Sequence, residues 1–405
     1  MKTSPPVLPK PLAGKRVLDC GTFIAGPACA TLLGEFGAEV IKVELPGSGC
    51  PLRQFGTMTE TGMSLPWLSE SRNKKSLTLD LRKPEGAAIL KDLVRQSHVL
   101  VENFQPGTLE SWDLGWNALS AANPALVMVR ISAYGQTGPY RDRPGFGRIA
   151  NAFGGLSYLA GYPDRPPVTP GSATLPDYLS GLYGAIGALL ALRTAEQSGV
   201  GQVVDIGLYE SIFRILDELA PAYAYSDTVR ERMGPGTVNA VPHSHYPTAD
   251  GKWVAIACTS NKIFQRLAAL MGRAELAGDG PWGTTAQRQA ARAAVDACVA
   301  EWTGAQPAAD LLRRCEEAQV PCGPLYSIAD IFADPHYAAR ENIFRLPVAG
   351  LGAIMVPNVV PKLSATPGSV ETAGPALGAH TDEILSELLG FDARRLDALR
   401  RRGAI

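Results

Sequence analysis

Asp177 is the side chain on which a reaction can be built most directly. It follows Pro176 at the head of residues 174–201 (TLPDYLSGLYGAIGALLALRTAEQSGVG), a segment that reads as one long helix closed by Ser198 and Gly199. An aspartate in that position has two readings. It caps the helix, accepting from free backbone N–H groups and favoured by the helix dipole. Alternatively it is a carboxylate nucleophile, kept ionised by the same field and presented to ligand where the loops of a sheet gather. Local sequence does not separate the two, and both can hold at once.

Other candidates surround it in the sequence. Arg53, Arg72, Lys74, Lys75, Arg82 and Lys83 concentrate positive charge before and after one short apolar run. Such groups suit the phosphates of a nucleotide-like ligand, although a solvated charged surface accounts for the same run. The turn GTFIAGP (21–27) joins a strand to a helix, the place where open α/β sheets bind nucleotides, but it lacks GxGxxG. His243 and His245 in VPHSHY are two apart, which on a strand puts both on one face. No third ligand at useful spacing accompanies them, so a substrate contact or a hydrogen-bonded loop, with Tyr246 beside it, is expected in place of a metal site. Cys258 and Cys322 lie in apolar surroundings without a sequence-local base, which argues against a thiol nucleophile. Neither GxSxG, a P-loop nor HExxH occurs.

The elements that must position these residues follow from periodicity. Short β-rich runs at 16–22, 38–45, 76–81, 97–103, 125–132 and 202–208 alternate with segments of helical spacing such as 27–37 and 84–96. That alternation predicts an α/β fold with a Rossmann-like, doubly wound parallel sheet. In the long helix, Leu179, Leu182, Tyr183, Ile186, Leu189 and Leu190 form a broad apolar face, and Gly181, Gly184 and Gly187 suggest close approach of another backbone. After residue 215 the composition turns polar and Gly/Pro-rich before a new strand at 252–259, which predicts a smaller α+β domain. The expected division is residues 1–215, 216–330 and 331–405, the last part returning to the large domain.

At 405 residues, 46% apolar and 19% charged, the chain has the composition of a globular protein. Its 38 basic and 39 acidic residues leave no electrostatic case for nucleic acid. Seven scattered cysteines without a CxxC pair fit a reducing compartment, and the proline- and lysine-containing start lacks a signal-peptide pattern, so a cytoplasmic location without a membrane span is expected.

Eight segments in order resemble the family III CoA-transferases, which include formyl-CoA and carnitine CoA-transferases and are related to the α-methylacyl-CoA racemases. They are LAGKRVLDCGTFIAGPACATLLGEFGAEVIKVELPGSG, RNKKSLTLDLRKPEG, VENFQPGTLESWDLGW, ISAYGQTGPYRDRPGFG, LPDYLSGLYGAIGALLAL, TADGKWVAIAC, VPCGPLYSIADIFADPH and LGAHTDEIL. The resemblance implies an interlocked homodimer, a large domain built from both chain ends, and Asp177 as the acyl-carrying carboxylate. It places coenzyme A contacts on Ile24 and Ala25, on Leu79 to Arg82, and on Asn103, Phe104 and Gln105, with Phe146 beside the thioester. The chain departs from the family at Leu45 and Ser111, where arginines are usual, so phosphate binding is expected to lean on Arg53, Lys75 and Arg82. Where the racemases carry a GHD-like motif, Phe146 and Gly147 stand here. Asp177 is then a lone carboxylate, which suits acyl transfer between an acyl-CoA, succinyl-CoA among the candidates, and a small polar acid. It does not suit two-base racemisation. A CoA-binding protein without turnover is the contrasting expectation.

Overall fold

The computed structural model describes residues 8–171 and 174–405. They divide into two compact units. The larger takes the described residues through Ser157, with Thr169–Asp227 and Ala338–Ile405; the smaller takes Tyr158–Val168 and Thr228–Tyr337. The helix Leu219–Ser226 thus stays with the larger unit, and a short stretch ahead of the long helix belongs to the smaller.

Six strands make the sheet of the larger unit: β1 (Arg16–Asp19), β2 (Glu39–Glu44), β3 (Lys74–Thr78), β4 (Val99–Glu102), β5 (Val127–Ser132) and β6 (Val203–Gly207). All neighbours are parallel and the order is β3-β2-β1-β4-β5-β6. Successive side chains on a strand face opposite ways. Val17, Val40, Val99 and Val129 accordingly pack with helix Ala25–Glu35 and the long helix Leu175–Ser198. Leu18, Ile41, Leu77, Leu100 and Met128 pack with Pro84–Val94 and the two C-terminal helices, Thr381–Leu389 and Ala393–Arg401. Both faces are covered, which is why these strands read as near-continuous apolar runs.

The basic C-terminal segment is amphipathic. Leu396, Leu399 and Ile405 enter the core while the arginines stay out, and Ala404 O accepts from Asp80 N at 2.9 Å. Strands β10 (Ile343–Val348) and β11 (Gly352–Pro357) form an antiparallel hairpin in the same unit.

The long helix buries mainly its small residues, with Leu192 the large apolar side chain that joins them. Gly181, Gly184, Ala185, Ala188 and Ala191 face inward. A Cβ on Gly181 would lie 3.0 Å from Ala25 O, and one on Gly184 would lie 3.2 Å from Cys29 Sγ. The two helices therefore touch backbone to backbone, as the glycines imply. Leu182, Ile186, Leu189 and Leu190 are left 45–65% exposed. Most of the broad apolar face read from the sequence thus points away from the core. By length and hydropathy the helix is also apolar enough to cross a bilayer, but its small-residue face is packed against the sheet.

In the smaller unit, β7 (His243–Pro247), β8 (Trp253–Ala257) and β9 (Cys322–Pro324) form an antiparallel sheet. Phe264, Leu267, Val295, Val299 and Leu311, from helices Asn261–Leu270, Arg292–Gly304 and Ala308–Glu317, close its core.

Candidate active site

The site of the larger unit is built at the carboxyl ends of β1 to β4, where a sheet of this strand order leaves its crevice. β1 ends on Asp19, whose buried carboxylate lies between Lys42 (3.2 Å) and Lys74 (2.8 Å). Burial alone would raise the Asp19 pKa; the two ammonium groups overturn it and hold the carboxyl below its ordinary range. The same three side chains fix the loop that follows. Gly21 N donates to Asp19 at 3.0 Å, Lys42 donates to Gly21 O, and Lys74 donates to Pro27 O at 2.8 Å. Asn103, just after β4, clamps the next residue, accepting from Thr22 N at 2.6 Å and donating to Thr22 O at 2.8 Å. Beyond it, Gln105 ties its segment to the following loop through Asp142 O at 2.9 Å.

A cradle of about 300 Å³ opens over these turns. Leu45, Leu79 and Arg82 line it from the ends of β2 and β3, Gly21 and Thr22 from the first loop, and Phe104 and Trp112 as a wall. Those two rings meet edge to face, with centroids 5.5 Å apart. Arg82 is exposed and its guanidinium rests on Asp80 at 2.8 and 2.9 Å.

The other two cations expected at the phosphates, Arg53 and Lys75, do not line this cradle. Arg53 makes a bidentate pair with buried Glu44 (both contacts 2.7 Å), donates to Pro375 O and stacks on Trp67 at 3.6 Å. Its charge is spent on a carboxylate that would otherwise be buried alone. Lys75 lies near the start of β3, at the opposite end of the sheet, where it pairs with Glu39 (3.3 Å) and Glu383 (2.7 Å). Arg72 is likewise paired with Glu35 at 2.5–2.8 Å. The basic run is largely a set of structural ion pairs.

Asp177 stands at the mouth of the long helix. Thr174 is the N-cap and Asp177 the third helical residue, so the aspartate is not the cap expected from its place beside Pro176. One turn along, Gly181 lies against Ala25 at the start of the first helix, so Asp177 stands about one helical turn from that contact. On its other side is Gly147, the first residue of helix Gly147–Phe153; a Cβ there would fall 2.2 Å from Asp177 Oδ2. Oδ2 is buried and has no partner among the described residues. Burial pushes the Asp177 pKa up to about 6, and backbone hydrogen bonding only partly opposes it. The helix field does not keep this carboxyl at an ordinary pKa; desolvation outweighs it. Phe146 caps the same short helix and is 73% exposed.

The remaining candidates belong to the smaller unit. Tyr246 is in its core, 2% exposed, its hydroxyl donating to Asp296 at 2.6 Å, so it is not available to substrate. His243 is half-buried with Nδ1 unpartnered among the described residues, and His245 is exposed. The stretch before them is tied down: Arg288 donates to Val241 O, Gln289 to Val238 O and Arg292 to Thr237 O. Among the described residues, no group of three potential metal ligands occurs. His380 is structural, its Nδ1 accepting from Ser76 N at 3.1 Å, and burial pushes the Cys258 thiol up to about 12.

Three features escape a reading by sequence. Trp112 sits one residue beyond Ser111 and supplies a cradle wall. Asn151, one helical turn from Gly147, is 3% exposed with Oδ1 unpartnered among the described residues. Lys42 left a signal, a lysine inside the otherwise apolar run VIKVE. A cavity of about 680 Å³ lined by Tyr183, Tyr209, Phe213 and Leu216 contains none of the candidates.

Residues 12–381 match the model of CoA-transferase family III. The chain is 54% identical over 396 residues to the succinyl-CoA--L-malate CoA-transferase alpha subunit of Chloroflexus aurantiacus, covering 98% of this chain and 92% of that one. It is 55% identical over 397 residues to the beta subunit of the same name from that organism, covering 98% of each. Among solved structures, a CAIB/BAIF family protein from Brucella suis superposes with a TM-score of 0.82 at 33% identity, over 94% of this chain and 100% of that one. With a six-stranded parallel sheet, a cradle at its carboxyl edge and a family match along nearly its whole length, the chain belongs to the family III CoA-transferases.

Proposed function

We propose that this chain transfers coenzyme A from succinyl-CoA to a hydroxylated dicarboxylate of the L-malate type, with Asp177 carrying the acyl group. The observation that carries the reading is the buried, unpartnered Oδ2 of Asp177 held against Gly147 in a chain of this family. Succinyl-CoA and malate come from the names of relatives at 54–55% identity.

The ionised Asp177 oxygen attacks the succinyl carbonyl and expels CoA thiolate, giving a mixed anhydride. The thiolate attacks the aspartyl carbonyl, which forms an enzyme thioester and releases succinate. A carboxylate of the acceptor attacks that thioester and expels the thiolate again. Attack of the thiolate on the acceptor's acyl carbon then yields the new acyl-CoA and restores Asp177. Each bond made replaces one of similar energy, so no ATP enters. The helix starting at Ala25 has no side-chain cap, and its first N–H groups suit an oxyanion. The cradle receives the nucleotide, with the adenine against Phe104 and Trp112 and a phosphate on Arg82. Gly147 offers no second base, which favours acyl transfer over racemisation.

A homodimer belongs to the same proposal. Leu182, Ile186 and Leu189 line an apolar groove with Phe36, Val360 and Leu363, and this is the face we assign to a second copy of the chain.

Incubation with succinyl-CoA followed by hydroxylamine should leave a hydroxamate on Asp177, read by mass spectrometry, and Asp177→Ala should abolish both the adduct and CoA exchange. Full exchange by that variant, or an adduct elsewhere, would remove the mechanism.

A further inference from the structure

We infer that Arg148 binds the distal carboxylate of dicarboxylic substrates and so selects the acyl group that Asp177 carries; this rests on the transferase reading above. Arg148 follows Gly147, the residue whose backbone lies against Asp177 Oδ2. The two Cα atoms are about 3.8 Å apart, and an arginine side chain extends roughly 6 Å further. Its guanidinium is exposed and makes one weak contact, Nη1 to Thr169 Oγ1 at 3.4 Å. Among the described residues no carboxylate pairs with it, in contrast to Arg53, Arg72, Arg82 and Arg130. The guanidinium turns toward Thr169 and does not bear on Asp177, whose shift comes from burial and a backbone hydrogen bond, so the side chain swings to meet a bound carboxylate.

The chemistry fits the spacing. The two carboxyl carbons of a four-carbon diacid are about 4 Å apart. With one carbonyl at Asp177, the other carboxylate falls within reach of the neighbouring side chain. Donor and acceptor occupy the same acyl position in turn, and a four-carbon acceptor places its second carboxylate at the same distance as succinyl does. One cation then serves both half-reactions, and a guanidinium fork meets a carboxylate with two charge-assisted hydrogen bonds. The neighbouring cations are less free: Arg143 stacks on Tyr140 at 3.6 Å, and Arg141 lies 3.4 Å from Asp142.

The test compares kcat/KM for succinyl-CoA and butyryl-CoA, which differ in the distal carboxylate, in wild type, Arg148→Ala, Arg148→Lys and Arg143→Ala. Wild type should prefer succinyl-CoA. Arg148→Ala should lower that preference at least about 10-fold, the scale of one lost charged hydrogen bond. The butyryl-CoA rate should change little, and Arg148→Lys should fall between. A wild-type ratio near one, a ratio unchanged in Arg148→Ala, or a selective loss in Arg143→Ala instead would overturn the assignment. Failure of the transferase reading looks different: wild type would then form no Asp177 hydroxamate with either donor.

Discussion

Gly147→Ala isolates the geometry of the nucleophile from the stability of the fold. The added methyl would lie 2.2 Å from Asp177 Oδ2, where 3.0 Å is the limit that real Cβ contacts respect. The carboxylate must therefore retreat by at least 0.8 Å, the difference between those distances. It is the end of a side chain, so it can rotate away and the backbone need not move. Gly147 is the first residue of a helix and is not among the positive-φ glycines, so alanine introduces no backbone strain. A displacement near 1 Å at a reacting atom costs on the order of 10²-fold in rate, which is about 2.7 kcal/mol of activation free energy. The expected result is a kcat about 100-fold lower by chromatography of the CoA esters. The KM for acyl-CoA and the melting temperature should stay near wild type, because the cradle is formed by other residues. A kcat within threefold of wild type would refute the placement of Gly147 against the reactive oxygen. A parallel loss of CoA affinity and melting temperature would refute the separation of site from fold.

Two other perturbations follow from the charges. In the proposed mechanism Asp177 attacks in its ionised form, and burial pushes its pKa up to about 6, so kcat/KM should fall tenfold per pH unit below 6 and level off above it; a profile flat down to pH 5 would contradict that burial. The same group has a folded pKa above its unfolded 3.8, so the native state holds the extra proton and stability is lost as pH rises from about 4 to 6. Asp177→Asn should therefore raise the unfolding free energy from denaturant titration at pH 7.5, by at most about 3 kcal/mol. Arg53→Ala strands the carboxylate of Glu44, whose side chain is 0% exposed, and should cost about 3–5 kcal/mol in denaturant unfolding. Lys75→Ala breaks pairs that are about one-third exposed and should cost under about 1 kcal/mol; equal losses in the two variants would contradict the different placements of these cations.

The alternation of apolar runs with helical segments made the parallel sheet legible, because strands covered on both faces must be apolar throughout and crossovers must be helical. The glycines of the long helix announced a close backbone contact, and one with Ala25 is found. Periodicity could not tell which face of that helix is buried. Large side chains suggested one face, and the small ones took it, since only they let two helices and a sheet approach within van der Waals distance.

The sequence by itself singled out the candidates: Asp177 at the head of the long helix, the first strand-to-helix loop, and a family pattern with Gly147 where a second base would stand. Tertiary structure decided the electrostatics. Whether a cation is free for a phosphate depends on carboxylates brought beside it by folding. Glu44 holds Arg53 outside the lining of the cradle, Glu39 and Glu383 occupy Lys75 at the far end of the sheet, Arg82 lines the cradle while resting on Asp80, and Arg148 has no carboxylate partner among the described residues. The ionisation of Asp177 was likewise outside the reach of sequence. A helix start favours the charged form, and burial against Gly147 disfavours it more, which only the packed chain can settle.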